Sequence, residues 1–78
     1  MIAEHERVVL TVDVDNHGLK AGDVGTIVHV FPEGKAYIVE FLTLQGETVA
    51  VPTLPAESIR PIATGEVASA RSIDRLAS

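Results

Sequence analysis

Between Arg7 and Ile62, apolar residues come in short blocks, each closed by turn-forming residues. The first block spans residues 7–14, with Val8, Val9, Leu10, Val12 and Val14 around polar Thr11 and Asp13. Its β-branched content and partial alternation predict a strand. Asp15-Asn16-His17-Gly18 ends it, a cluster suited to a tight turn with one left-handed residue. A loop containing Gly22 and Gly25 leads into a second strand over residues 25–31. There, alternation assigns Thr26, Val28 and Val30 to the core and His29 to the outside. Pro32-Glu33-Gly34-Lys35 reads as a turn, with Pro presetting φ and Gly supplying a left-handed position. The third strand, residues 36–42, sets Tyr37, Val39 and Phe41 on one face and Ile38 and Glu40 on the other, so strands two and three form a hairpin. Residues 43–47 make a second turn and residues 48–54 a fourth strand. Pro52 cannot donate to a ladder, which places that part of the strand at an edge or a bulge. Residues 55–58 predict a single 3₁₀ turn, and residues 59–62 a closing strand.

Short strands at near-even spacing, with no covering helix between them, predict an all-β domain. A flat sheet would leave its apolar face in water, so closure into a small five-stranded barrel is the expected solution. Residues 1–6 are expected as an unpaired leader, residues 1–62 as the domain, and residues 63–78 as a C-terminal tail that is mobile or partly helical. Val67, Ala70, Ile73 and Leu76 fall three apart, with Thr64 at the N-cap position and Glu66 near the positive helix end.

The run Leu19-Lys20-Ala21-Gly22-Asp23-Val24-Gly25-Thr26-Ile27-Val28, then Ala36-Tyr37-Ile38-Val39-Glu40-Phe41, then Thr53-Leu54-Pro55-Ala56 and Ile59-Arg60-Pro61 resembles a family of small bacterial proteins catalogued as domain of unknown function four-nine-two-six. The resemblance covers residues 8–62 and implies an SH3-like β-barrel without an assigned activity. Pro52 departs from the family's usual aliphatic residue, and the tail extends beyond the usual end. More distantly, the Gly-x-x-Gly-Thr-Ile-Val pattern is similar to SH3-like accessory subunits such as those of photosystem I and nitrile hydratase, an analogy at the level of fold.

Composition narrows the functional classes. A chain of 78 residues with 46% hydrophobic content and no Cys must draw its stability from an aliphatic core, a partner, or both. So small a domain leaves some apolar side chains exposed, which predicts self-association or a protein partner. The net charge of −5, with scattered Lys and Arg, disfavours nucleic acid. The acidic N-terminus lacks the pattern of a signal peptide, and no apolar run reaches membrane-spanning length. The absence of Cys fits a cytoplasmic location.

Asp13-x-Asp15-x-His17 is the most suggestive chemical cluster, since alternate strand positions share a face and two carboxylates with an imidazole suit a cation. The competing reading is a turn whose side chains cap backbone N–H groups, and it is preferred. His5, His17 and His29 lack the nucleophile and acid of a catalytic set. Gly22-x-x-Gly25 precedes a strand, so it lacks the helix N-terminus of a phosphate loop. It reads as turn and barrel-corner geometry. Glu40 reads as an outward charge that protects a strand edge. Tyr37 and Phe41 read as core, although they invite comparison with a base-stacking platform. The expectation is therefore a non-catalytic protein–protein interaction module: a homo-oligomer, or an accessory or antitoxin-like partner of a neighbouring gene product. It has no catalytic, cofactor or metal residues and no small-molecule substrate. A nucleic-acid-associated barrel is the alternative.

Overall fold

The segment with the cleanest alternation, residues 36–42, is the strand around which the sheet is assembled. The computed structural model describes residues 2–73. Within them lie strands β1 (Arg7–Leu10), β2 (Val24–Val30), β3 (Ala36–Leu42), β4 (Thr48–Ala50), β5 (Thr53–Pro55) and β6 (Ile59–Pro61), with 3₁₀ turns at Asp15–His17, Pro32–Gly34 and Ala56–Ser58. All pairings are antiparallel. The order is β4-β3-β2-β1-β6, with β5 also on β3. The all-β class expected from the pattern is thus observed. The pairing path runs open from β4 to β6 instead of closing on itself.

Six strands stand where five were expected, and Pro52 is the reason. From Ala50 through β5 a single register on β3 is kept, since Phe41 faces Ala50, Tyr37 faces Leu54 and Ile38 faces Thr53, and it shifts only at the start of β4, where Leu42 faces Thr48. Between them the Val39 N–H donates to the Pro52 carbonyl at 3.0 Å, but proline has no N–H to return. One ribbon is therefore read as two strands.

The core residues are Val8, Leu10, Leu19, Ile27, Tyr37, Val39, Phe41, Ala50, Leu54 and Ile59. Tyr37, Val39 and Phe41 point inward as their alternation predicts. In β2 the expected parity is wrong for its first half. The β2–β3 register shifts between Ile27 and His29, leaving Val28 as an inserted bulge residue. Gly25 and Ile27 are buried before the bulge, Val28 and His29 are exposed, and Val30 returns to half-burial after it. An extra residue reverses which parity faces inward.

The ends of the chain also differ from expectation. Residues 5 and 6 extend the β1–β2 ladder, with the His5 N–H donating to the Ile27 carbonyl at 2.7 Å and the Ile27 N–H to the Glu6 carbonyl at 2.9 Å. Ile2 packs against the core, so this leader is paired rather than frayed. β1 ends at Leu10; the Thr11 N–H still donates in register to the Ser58 carbonyl at 2.8 Å, and Val12, expected in the strand, is exposed. Residues 62–73 contain no helical turn. The expected helix is displaced because Gly65 sits at φ +86° and the Glu66 carboxylate is committed to Arg60 and the Ala63 N–H. Leu76, the last residue of that helical pattern, lies outside the described residues.

Candidate functional site

The loop over residues 11–23 is closed by backbone bonds at its base. The Leu10 N–H donates to the Asp23 carbonyl at 2.9 Å and the Gly22 N–H to the Leu10 carbonyl at 2.8 Å. An isolated bridge joins Val14 to Leu19, and the Asp15–His17 turn between them ends on Gly18 at φ +71°. Asp13 Oδ1 accepts the Ala21 N–H at 2.9 Å, and Asp23 Oδ2 accepts the Lys20 N–H at 2.8 Å. Lys20 Nζ lies 3.9 Å from Asp13 and 3.5 Å from Asp15. Asp13 and Asp15 thus face a shared ammonium, while His17 ends the 3₁₀ turn. Among the described residues no three His, Asp or Glu side chains gather into a metal-holding group. The arrangement is that of a capped loop.

The tail is fastened to this loop and to β6 by two arginines. Arg60 Nη1 and Nη2 donate to Glu66 Oε1 and Oε2 at 2.8 and 2.5 Å, a bidentate fork, while Glu66 Oε1 also accepts the Ala63 N–H at 2.6 Å. The Arg60 guanidinium, followed by the Ala63 N–H, holds the Glu66 carboxyl down at about 2. Farther along, Arg71 Nε donates to Asp23 Oδ1 at 3.0 Å and Nη2 to the Gly18 carbonyl at 3.1 Å, with a second bond from Nη2 to Asp23 Oδ2. Ile73 then packs against the core.

The surface that emerges is apolar. A groove of about 550 Å³ runs beside the tail, and Val24, Leu42, Leu44, Ile62 and Val67 all line it. These are five of the eight large hydrophobic side chains exposed among the described residues. Scattered singly, such side chains are ordinary on a protein surface, but a converging set marks a site for association. A second groove of about 520 Å³ adjoins it, sharing Val24, Leu42, Leu44 and Ala68, and extends along residues 69–73 over Leu19, Phe41 and Val49.

The remaining candidates are placed as follows. His29 is exposed, as expected, and stacks edge-on against Phe31 with ring centroids 4.8 Å apart. Glu40 was expected to guard a strand edge, but β3 is paired on both sides; its carboxylate instead accepts a bond from the Thr48 hydroxyl of β4 at 3.1 Å. Tyr37 and Phe41 are buried core residues and offer no stacking platform. Gly25 is buried where β2 meets β3, and Gly22 takes a left-handed conformation at φ +96°. Sequence reasoning missed Asp23 and Arg71, which are separated by 48 positions. No local spacing announces that pair. The Glu66 carboxylate was read as a helix-end charge, when its partner is Arg60.

Among the described residues no helix is long and apolar enough to cross a membrane. The family described as Domain of unknown function (DUF4926) matches residues 4–61. No curated protein and no solved structure matches the chain. The match ends before the tail, so the segment that borders both grooves lies beyond the family's extent.

Proposed function

Since the chain belongs to the family described as Domain of unknown function (DUF4926), whose description assigns no activity, we propose that it is a non-catalytic protein-interaction module on an SH3-like barrel frame. Supporting the barrel reading, β3 pairs with β2 on one side and with β4 and β5 on the other, a 3₁₀ turn precedes the last strand, and that strand returns to β1. The observation that carries the functional reading is the convergence of Val24, Leu42, Leu44, Ile62 and Val67 on one groove. The occupant is a protein with an apolar face and net positive charge. A chain of net charge −5 repels its own copies and attracts a basic partner, which speeds encounter and favours a heterologous pair. This is the behaviour of an accessory or antitoxin-like subunit working in the cytoplasm beside a larger protein.

Affinity capture with the wild-type chain and with an Ile62→Lys/Val67→Lys variant, followed by mass spectrometry, tests this. The expected result is a basic protein retained by the wild type and lost with the variant. An identical captured set for both overturns the reading. So does concentration-dependent dimerisation in light scattering that the variant abolishes, since the groove would then serve a second copy. Retention of DNA or RNA in low-salt filter binding would favour the nucleic-acid alternative instead.

A further inference from the structure

The contacts of Arg71 and Ile73 have the form of a ligand in a site. One guanidinium makes two bonds to the Asp23 carboxylate and a third to the Gly18 carbonyl. Two residues on, Ile73 packs against the core where Leu19, Phe41 and Val49 line the groove. Both acceptors are aimed by the domain itself. The Lys20 N–H holds Asp23 at 2.8 Å, and the left-handed turn at Gly18, closed by its N–H on the Asp15 carbonyl at 3.0 Å, presents the Gly18 carbonyl. Among the described residues of the tail none joins a strand of the sheet, and the contacts of Arg71 and Ile73 with this end of the domain are made by side chains. A planar fork that bridges a carboxylate and a neighbouring carbonyl is specific to arginine, since a lysine ammonium cannot match both oxygens at once.

We infer that this end of the domain is a peptide-recognition site for an extended segment bearing an arginine followed two residues later by an aliphatic side chain, and that the chain's own Arg71-Ser72-Ile73 is its resident occupant. The inference rests on the reading of the domain as a protein-interaction module, and it supplies the ligand chemistry of that module. A basic partner segment with the same spacing competes with the tail for Asp23, the Gly18 carbonyl and the Ile73 seat. The tail therefore sets the threshold such a partner must exceed. With an effective tail concentration of about 1 mM and a peptide dissociation constant of about 0.1 mM, competition weakens peptide binding about tenfold.

The test uses full-length chains and a fluorescein-labelled peptide of residues 66–73, read by anisotropy. The expected result is that an Arg71→Gln/Ile73→Ser variant binds the peptide about tenfold more tightly than the wild type, as the competition above requires. A peptide carrying Gln in place of its arginine is expected not to bind, and Asp23→Asn added to the variant to abolish binding. Equal binding by wild type and variant, or equal binding of the Arg and Gln peptides, overturns the inference. Circular dichroism establishes that the variants are folded. If the double variant is not, side-chain NMR on the wild type and Asp23→Asn decides instead. Nuclear Overhauser contacts between the Ile73 methyls and the core that Asp23→Asn abolishes support the inference, and unchanged contacts overturn it. Peptide binding that passes this test while capture is unaffected by Ile62→Lys/Val67→Lys, at two residues that line only the first groove, overturns only the groove reading. The converse pair of results overturns only this one.

Discussion

Replacing Gly25 by alanine adds one methyl group where β2 packs closely against β3. A Cβ there would lie 2.6 Å from Val39 Cγ1, 2.9 Å from Phe41 Cε2 and 3.0 Å from the Glu40 carbonyl oxygen. Carbon atoms in favourable contact sit about 3.5–4.0 Å apart, so all three approaches are repulsive. None of the three neighbours can retreat easily. Val39 is fully buried, Phe41 is 2% exposed, and Glu40 contributes backbone paired to Thr26. Overpacking of this kind costs about 1–3 kcal/mol. Alanine returns about 0.4–1 kcal/mol by restricting the unfolded chain. Taking the middle of each range, about 2 less about 0.7, the net expectation is about 1.3 kcal/mol of destabilisation, which for a domain this size lowers Tm by about 5–10 °C. Gly25→Val, which adds two further methyl groups, falls below Gly25→Ala. Differential scanning calorimetry with parallel urea titrations measures both. A double-mutant cycle with Val39→Ala isolates the clash, with an expected coupling of about 0.5 kcal/mol or more in the relieving direction. A Gly25→Ala protein that melts at or above the wild-type temperature refutes the close-approach argument. Gly22→Ala provides the contrast. A Cβ at Gly22 meets nothing within 4 Å, but φ is +96°, so the cost there arises from the backbone and Val39→Ala does not relieve it.

Two further outcomes are expected. Ile27→Ala, at a fully buried core position, costs about 2–5 kcal/mol by urea unfolding; a loss below 1 kcal/mol would mean that the bulge leaves Ile27 outside the core. The Glu66 carboxyl, held at about 2 by Arg60 and the Ala63 N–H against an ordinary 4.5, stabilises the clip fully above about pH 4.5 and ceases to do so as pH falls through 2. An NMR titration of the carboxyl carbon checks this, and a midpoint in the ordinary carboxylate range would show that the fork does not form in solution.

Much of this protein is determined by short-range chemistry. Alternation over residues 36–42 specified the inward face of β3, because pleating sends successive side chains to opposite sides. Asp15-Asn16-His17-Gly18, residues 43–47 and residues 55–58 folded as the turns their residue types require. Pro52 marked the interruption between β4 and β5, because a missing N–H is a property of the residue itself. Other features needed partners that local sequence does not identify. The bulge at Val28 depends on the pairing of β2 with β3, and it left Val28 exposed where alternation had placed it in the core, while His29 stayed outside as expected. The pairing of residues 5 and 6 depends on the other strand of the ladder. The helical spacing of Val67, Ala70 and Ile73 gave way to an extended strap because Arg60 and Asp23 offered the tail stronger partners than its own backbone. The groove followed the same rule. Val24, Leu42, Leu44, Ile62 and Val67 occupy four separate stretches of the chain, and only the sheet and the strapped tail bring them to one surface.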